Sequence, residues 1–181
     1  MEQIITRKSH RLKNYNYSSN GSYFITICVK NKECLLGEIV VGDGAHGVPD
    51  YTDKNDIIYL KSVNAEMVLS DSGKVVEKYI ETSKSAYSGL TVDNYIIMPN
   101  HIHMIISLCN ETYKCKFLPC HDMIPQYVST FKTLITKETG FSMFQRDYHD
   151  HIIRDEKEYA KIWNYIDANP SNWVTDRFYM Y

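Results

Sequence analysis

The sequence predicts an α+β fold. Three observations support this fold class: strand-like runs near the start, two adjacent apolar runs in the middle, and helical periodicity between and after them. The runs are rich in β-branched and aromatic residues, which favour strands, whereas apolar residues three and four apart favour helices. With 181 residues, of which 44% are hydrophobic, the chain is long enough for one domain with a real core.

The first part of the chain predicts strands separated by polar turns. Residues 22–29 form a strand, residues 30–33 a turn, and residues 35–41 a second strand that makes a hairpin with the first. Glycine, proline and aspartate interrupt the segment 42–50, which we interpret as a surface excursion. Residues 57–60 then return to the sheet.

The middle of the chain predicts a helix followed by two strands. An apolar stripe at helical spacing indicates a helix over residues 70–83, with Ser70 or Asp71 as its N-cap. The apolar runs 90–98 and 101–108 follow as neighbouring strands. The short break between them contains a proline, which cannot donate to a central strand ladder.

Two further helices are predicted in the last third. Residues 109–122 form a loop, and helical spacing then runs over residues 124–139. A second helix covers residues 156–168, with Asp155 as its N-cap. It ends before Pro170, because the residue preceding a proline avoids the helical region.

The two middle strands meet at a His-Ile-His triplet. Side chains alternate along a strand, so His101 and His103 face one side while Ile102 faces the core. Two imidazoles on one face can bind a single divalent metal ion. The alternative is that both histidines simply lie on a half-exposed strand, because a bare His-x-His pattern also arises by chance.

The residues around this triplet resemble a known family. The block from Tyr95 to Ile106 resembles the HUH motif (His, hydrophobic residue, His) of single-tyrosine transposases, in particular the REP-associated tyrosine transposases and their insertion-sequence 200 type relatives. The block 144–155 resembles the segment that leads into the catalytic helix of that family. The resemblance covers essentially the whole chain. It implies a ferredoxin-like HUH endonuclease fold: an antiparallel sheet carries the two histidines, helices pack on this sheet, and the helix bearing the tyrosine closes the site.

The same resemblance implies a set of site residues. The run from Tyr165 to Pro170 matches the family pattern of a nucleophilic tyrosine followed one helical turn later by a polar metal ligand. Tyr165 is thereby the expected nucleophile, and Asn169 the expected third ligand of Mg or Mn beside His101 and His103. The implied activity is cleavage and rejoining of hairpin-containing single-stranded DNA through a 5′-phosphotyrosine intermediate. The alternative is a domesticated, non-catalytic protein that binds DNA hairpins.

Other interpretations of these residues stay open. Tyr148 and Tyr159 are the reserve candidates for the nucleophile. Asn169 can instead satisfy backbone groups at the end of its helix. A phenol with a pKa near 10 needs activation, and the sequence identifies no general base for it.

The charge pattern bears on DNA binding. The formal net charge of −2 is unusual for a DNA-binding protein, since phosphate contacts need a basic face. Residues 1–21 nevertheless form a basic arm, ahead of a single domain over residues 22–181. The arm can contact nucleic acid or be a solvated, disordered terminus. The candidate DNA contacts are Arg7, Lys8, Arg11, Lys13, Lys132, Arg146, His149 and His151.

The remaining features concern the cysteines, the location of the protein in the cell and its oligomeric state. The five cysteines are odd in number and unevenly spaced, which argues against a disulfide framework. Cys109, Cys115, Cys120 and His121 lack the spacing of a zinc finger or ribbon, which favours free thiols over a zinc cluster. No signal-peptide core or membrane-length apolar run occurs, so a cytoplasmic location without a membrane partner is expected. The resemblance leaves both a monomer and a homodimer open.

Overall fold

A computed structural model of the protein describes residues 19–41, 65–109 and 123–178. The strands and helices are, in chain order, β1 (Gly21–Cys28), β2 (Gly37–Val41), β3 (Ala65–Leu69), α1 (Asp71–Ala86), β4 (Leu90–Met98), β5 (His101–Leu108), α2 (Met123–Thr139), β6 (His149–Ile153) and α3 (Glu156–Asp167). Short 3-10 turns occupy Lys30–Lys32 and Pro170–Thr175. The predictions for most of the basic arm, the excursion at 42–50, the strand at 57–60 and nearly all of the loop at 109–122 lie outside the described residues.

The main sheet has four strands in the order β4-β5-β1-β6, with every neighbouring pair antiparallel. The connection from β1 to β4 contains β2, β3 and helix α1, and β5 lies between β1 and β4 in the sheet. Helix α2 likewise connects β5 to β6, with β1 between them. Two such interleaved units make the ferredoxin-like arrangement. The predicted α+β class, with an antiparallel sheet carrying helices, is confirmed.

The two faces of this sheet have different partners. On one face, alternate residues of β1 and β5, including Ile25, Ile27, Ile102 and Met104, join a core completed by α1 and α2. Each of these side chains is fully buried, and burying one stabilises the fold by roughly 1.5–3 kcal/mol. The opposite face is covered by α3, whose Ile166 packs in a cluster with sheet residues. The sheet is therefore an interior layer.

Both predicted helix caps are confirmed. The Ser70 hydroxyl accepts a hydrogen bond from the Gly73 N–H at 3.1 Å, and the Asp155 carboxylate accepts one from the Glu158 N–H at 2.8 Å. These bonds satisfy backbone donors that the first helical turn leaves without partners. No helix within the described ranges combines the length and the apolarity that crossing a membrane requires.

One predicted strand pairing is wrong. The sequence predicts that the strand at 35–41 forms a hairpin with β1, but in the structure β2 pairs with β3 in a separate two-stranded sheet. Strand β1 has no edge left for β2, because β5 and β6 occupy its two sides. Strands β3 and β6 have no counterpart in the sequence-based prediction. Both are only five residues long.

We expect Ile102→Ala to lower the free energy of unfolding by about 2–5 kcal/mol, because it leaves a cavity between the sheet and its helices. Urea denaturation measures the change. Leu134→Ala is the control, since Leu134 on α2 is 37% exposed, and it should cost no more than about 1 kcal/mol. Equal losses in both variants would contradict the packing described here.

Candidate active site

The two histidines of the triplet are buried on the face of β5 that turns away from the main core. His101 is 0% and His103 1% exposed, so the alternative of a half-exposed strand is wrong. Their β1 partners in the antiparallel register are Cys28 and Thr26. The two rings lie 4.5 Å apart between centroids. As predicted from the alternation, Ile102 points into the core on the opposite face.

Each imidazole has its Nδ1 atom held by a neighbouring polar side chain. His101 Nδ1 lies 2.9 Å from Asn100 Oδ1, and His103 Nδ1 lies 2.8 Å from Thr26 Oγ1. The orientation of the Asn100 amide is fixed, because its Nδ2 donates to the carbonyls of Lys32 and Phe178. Asn100 Oδ1 is therefore an acceptor, His101 carries its proton on Nδ1, and the Nε2 atom of His101 keeps a free lone pair.

Burial keeps both imidazoles uncharged. Removal from water lowers the pKa of His101 to about 4; the nearby Asp176 carboxylate opposes this effect, whereas the cations Arg177 and Lys32 add to it. The pKa of His103 is also well below its usual value, first through burial and then through His101 and the guanidinium of Arg177. A neutral imidazole is the form that binds metal ions.

Tyr165 lies on α3 directly over this pair. Its hydroxyl is 3.3 Å from His103 Nε2 and 3.2 Å from a carboxylate oxygen of Asp176. Its ring packs edge-on against Phe24, with the centroids 6.1 Å apart. The side chain is 42% exposed, so one side of it stays open to solvent. Partial burial and the Asp176 carboxylate raise the pKa of Tyr165, which keeps the phenol protonated at neutral pH.

The 3-10 turn after α3 brings two more oxygen-bearing side chains to the site. Asn169 precedes the turn and Asp176 follows it. Asn169 is 1% exposed, and neither atom of its side-chain amide has a hydrogen-bond partner. The amide lies close enough to the Tyr165 hydroxyl to lower the pKa of that group. Its side chain is therefore not capping the helix end, which was the alternative interpretation.

Asp176 completes a cluster with the two histidines. One atom from each of His101, His103 and Asp176 lies within 4.8 Å of the others. Trp173, in the middle of the 3-10 turn, is 4% exposed and packs with Cys28, Met98 and Phe178. This packing fixes the turn against the end of the sheet, and it thereby fixes the position of Asp176.

Two proteins of Haemophilus influenzae are similar to this chain in sequence. No family model matches the chain. An uncharacterized protein of Haemophilus influenzae is 36% identical over an alignment of 192 residues, which covers 96% of this chain and 93% of that protein. A second Haemophilus influenzae protein, named "Putative REP-associated tyrosine transposase", is 29% identical over 118 residues, or 58% of this chain and 66% of that protein.

The fold comparison agrees with the second of these relatives. The solved structure of a REP-associated tyrosine transposase bound to a REP hairpin matches with a TM-score of 0.55 at 16% identity, over 93% of this chain and 75% of that chain. The chain is similar to REP-associated tyrosine transposases, in its fold and over part of its sequence. The resemblance inferred from the triplet and from the tyrosine helix is thereby confirmed.

The site residues expected from this family lie close to one another. The Tyr165 hydroxyl contacts His103, His103 lies beside His101, and Asn169 lies beside Tyr165. Their roles stay predictions. Of the reserve tyrosines, Tyr159 donates from its hydroxyl to Asp93, and Tyr148 packs on the core at the opposite face of the sheet.

The donor set suits a divalent metal ion. His101 Nε2 and both amide atoms of Asn169 are buried without hydrogen-bond partners, which costs free energy unless a ligand satisfies them. Imidazole nitrogen combined with amide or carboxylate oxygen is a donor set that Mg and Mn accept. The residues that would hold a metal are therefore His101, His103 and Asn169, as the family resemblance implies. The structure places Asp176 beside the two histidines as a further possible ligand.

The sequence interpretation missed three contributors to this site. Thr26 and Asn100 hold the histidine rings, and Asp176 joins the possible ligands. Asn100 had a local signal, since it directly precedes the triplet. Nothing in the spacing pointed to Thr26 or Asp176, because only the sheet register and the 3-10 turn bring them to the histidines.

The residues predicted to contact DNA lie in different parts of the structure. Lys132 and Arg146 line a groove of about 380 Å³ beside α2. The Lys132 ammonium donates to three backbone carbonyls in residues 145–147, so it braces that segment. His149 and His151 lie on exposed β6, where His151 pairs with Glu158 at 2.7 Å. The arm residues Arg7, Lys8, Arg11 and Lys13 lie outside the described residues, and all these DNA contacts stay predictions.

The prediction of free thiols can be compared with the structure at three of the five cysteines. Cys28, Cys34 and Cys109 form no disulfide within the described ranges, and Cys28 is buried beside the histidine pair. Cys115, Cys120 and His121 lie outside the described residues, so the zinc-cluster alternative stays open.

We expect Asn100→Ala to lower the free energy of unfolding by about 1–3 kcal/mol, because it leaves His101 Nδ1 and two backbone carbonyls without their partner. Urea denaturation again measures the loss. Asn164→Ala, at an exposed position of α3, is the control and should change stability by no more than about 0.5 kcal/mol. If the two variants are equally stable, Asn100 does not hold the site as described.

A second prediction concerns pH in the metal-free protein. The pKa of His101 is about 4 in the folded chain and about 6.5 when unfolded, so the unfolded state binds more protons between these values. The free energy of unfolding should therefore be highest above about pH 6.5 and fall as the pH drops toward 4. Nitrogen NMR should show His101 neutral, with its proton on Nδ1, at pH 7. An imidazolium there at pH 7 would refute this assignment.

Proposed function

We propose that the protein is a metal-dependent transposase-type endonuclease that cleaves and rejoins hairpin-containing single-stranded DNA, with Tyr165 as the nucleophile. The observation that carries this proposal is the Tyr165 hydroxyl 3.3 Å from His103 Nε2, above a buried histidine pair. A partly exposed phenol beside uncharged imidazoles is suited to attack a phosphodiester. Similarity to REP-associated tyrosine transposases supports the same class of reaction.

In the proposed covalent step, the side chain of Tyr165 is the attacking group. The Tyr165 oxygen forms a bond to the scissile phosphorus, and the bond from phosphorus to the 3′-oxygen breaks. The tyrosine gives up its proton and the departing 3′-oxygen takes one up. The products are a 5′-phosphotyrosine and a free 3′-hydroxyl. Because the bond energy is kept in the phosphotyrosine, a second 3′-hydroxyl can reverse the step without ATP.

The metal would be held by His101, His103 and Asn169. When bound, a divalent ion supplies Lewis-acid stabilisation of the charge that develops on the phosphate. The polar neighbours of the histidines serve this role indirectly. Asn100 and Thr26 hold the two Nδ1 atoms, and this fixes the ring orientation that presents each Nε2 to the site.

The remaining task of the chain is to place and activate the phenol. Phe24 and the His103 ring contact the Tyr165 ring on two sides, which restricts its rotation. In the metal-free chain the hydroxyl lies within hydrogen-bond distance of His103 Nε2 and Asp176. Since the pKa of Tyr165 is raised, attack requires the proton to pass to an acceptor as the new bond forms.

The substrate is inferred from the solved relative, which holds a REP hairpin. We propose a DNA hairpin flanked by single strand as the corresponding substrate here. His149 and His151 share the face of the sheet that carries the histidine pair, with β1 between them. They and the basic arm are candidates for holding the strand beside Tyr165. Lys132 would contribute through the segment that it braces.

The test is a covalent-adduct assay. Purified full-length protein is incubated with labelled single-stranded hairpin DNA from the flanks of its own gene, with Mg or Mn. We expect a protein–DNA band that requires the metal and disappears in Tyr165→Phe and in His103→Ala. Tyr159→Phe is the matched control on the same helix, because its hydroxyl bonds to Asp93 instead, and it should retain the band.

The alternative outcomes are distinct. A band that persists in Tyr165→Phe and disappears in Tyr159→Phe or Tyr148→Phe would place the nucleophile elsewhere. Hairpin binding without any band in the wild type would favour the non-catalytic hairpin-binding protein. If the wild type forms no band and binds no hairpin, the proposed function is refuted altogether.

A further inference from the structure

Asp176 stands beside the histidine pair without a role in the family pattern. Its carboxylate contributes one of three ligating atoms that lie within 4.8 Å of one another, the others coming from His101 and His103. His101 Nε2 is a fully buried acceptor with no partner, facing this cluster. We propose that Asp176 is a direct, anionic ligand of the divalent metal, in addition to the two histidines and Asn169. This inference rests on the proposed function.

The charge balance of the site supports a carboxylate ligand. Two neutral imidazoles and one amide leave a divalent cation uncompensated in a largely buried place, which is costly. The charged neighbours make this worse, since the guanidinium of Arg177 lies 4.6 Å from the Phe178 ring centroid, and that ring lies 4.5 Å from His101. Lys32 is a further cation over the same ring. Asp176 supplies the negative charge that this surrounding lacks.

The chain holds the carboxylate in a defined orientation. Asp176 Oδ1 accepts the Phe178 N–H at 2.7 Å, while Oδ2 faces the Tyr165 hydroxyl at 3.2 Å. One oxygen is therefore committed to the backbone and the other is directed into the site. The packing of Trp173 against the sheet keeps the whole turn in place. A ligand held in this way is preorganised, so little conformational freedom is lost when the metal binds.

The proposal also links metal binding to the nucleophile. Two acceptor atoms near the Tyr165 hydroxyl, His103 Nε2 and Asp176 Oδ2, belong to two of the proposed ligands. Occupying both with a metal removes these two acceptors from the hydroxyl. Metal binding should therefore change the environment of Tyr165 even without DNA.

The experiment measures binding of Mn²⁺ alone to the full-length protein by isothermal titration calorimetry. Asp176→Asn keeps the size of the side chain and its bond to the Phe178 N–H, and it turns an amide NH₂ toward the site in place of an oxygen. We expect the Kd for Mn²⁺ to rise by at least about 10-fold, because losing even an outer-shell partner of a metal ligand typically costs that much. Asp71→Asn, the same change at an exposed position of α1, should leave the Kd unchanged within about twofold.

Two further measurements distinguish direct ligation of the metal by Asp176 from a long-range effect of its negative charge. The loss in Asp176→Asn should persist at high salt, where an effect acting only through long-range attraction would be screened. The visible spectrum of bound Co²⁺ should also differ between the wild type and Asp176→Asn, because it reports the set of ligands. A loss that vanishes at high salt, with an unchanged cobalt spectrum, would overturn direct ligation.

The failures of the two proposals are distinguishable. If Asp176→Asn binds Mn²⁺ like the wild type while His103→Ala does not, Asp176 is not a ligand and the proposed metal site stands. If the wild type binds no Mn²⁺, or His103→Ala binds it equally well, the metal-dependent function and this inference both fail. Circular dichroism of each variant confirms that it is folded before either conclusion is drawn.

Discussion

The alternation of side chains along β5 is the constraint on which the fold and the site both depend. One set of its residues, with Ile102 between the histidines, forms the core beneath α1 and α2. The other set carries His101 and His103 toward α3. A slip of one residue in the pairing with β1 would exchange these sets and place imidazoles in the hydrocarbon core. The register that keeps the protein folded is thus the register that assembles the site.

The two buried imidazoles need hydrogen-bond partners. The residue that bonds to His101, Asn100, also links distant parts of the chain. Asn100 accepts from His101 and donates to the backbone of Lys32 and of Phe178. One amide therefore orients a proposed ligand and anchors the segment that carries Asp176. Because Asn100 is 1% exposed, losing any of these bonds leaves a polar group without compensation from water.

Local patterns were sufficient for much of the fold. The β4–β5 pair, α2 and α3 follow from apolar runs and periodicity, and Ser70 and Asp155 were identified as caps from residue type alone. The partner of β2 could not be found locally, since it depends on β1 having both edges filled. Strand β6 has apolar residues only at Ile152 and Ile153, so its pairing with β1 rather than its composition makes it a strand. Tyr165 and Asn169 were found through family resemblance, whereas Asp176 needed the 3-10 turn to bring it back to the histidines.

The two oxygen donors at the ends of that turn show how a short segment can set the chemistry of a site. Pro170 begins the turn with a restricted backbone angle, and Trp173 fixes its middle by burial against Cys28 and Met98. Asn169 and Asp176 are consequently placed by packing on the end of the sheet, at a distance from the main core under α1 and α2. Sheet stability and site geometry thus depend on different apolar clusters. A substitution that loosens the Trp173 cluster can displace both donors while the histidines stay in position on β5.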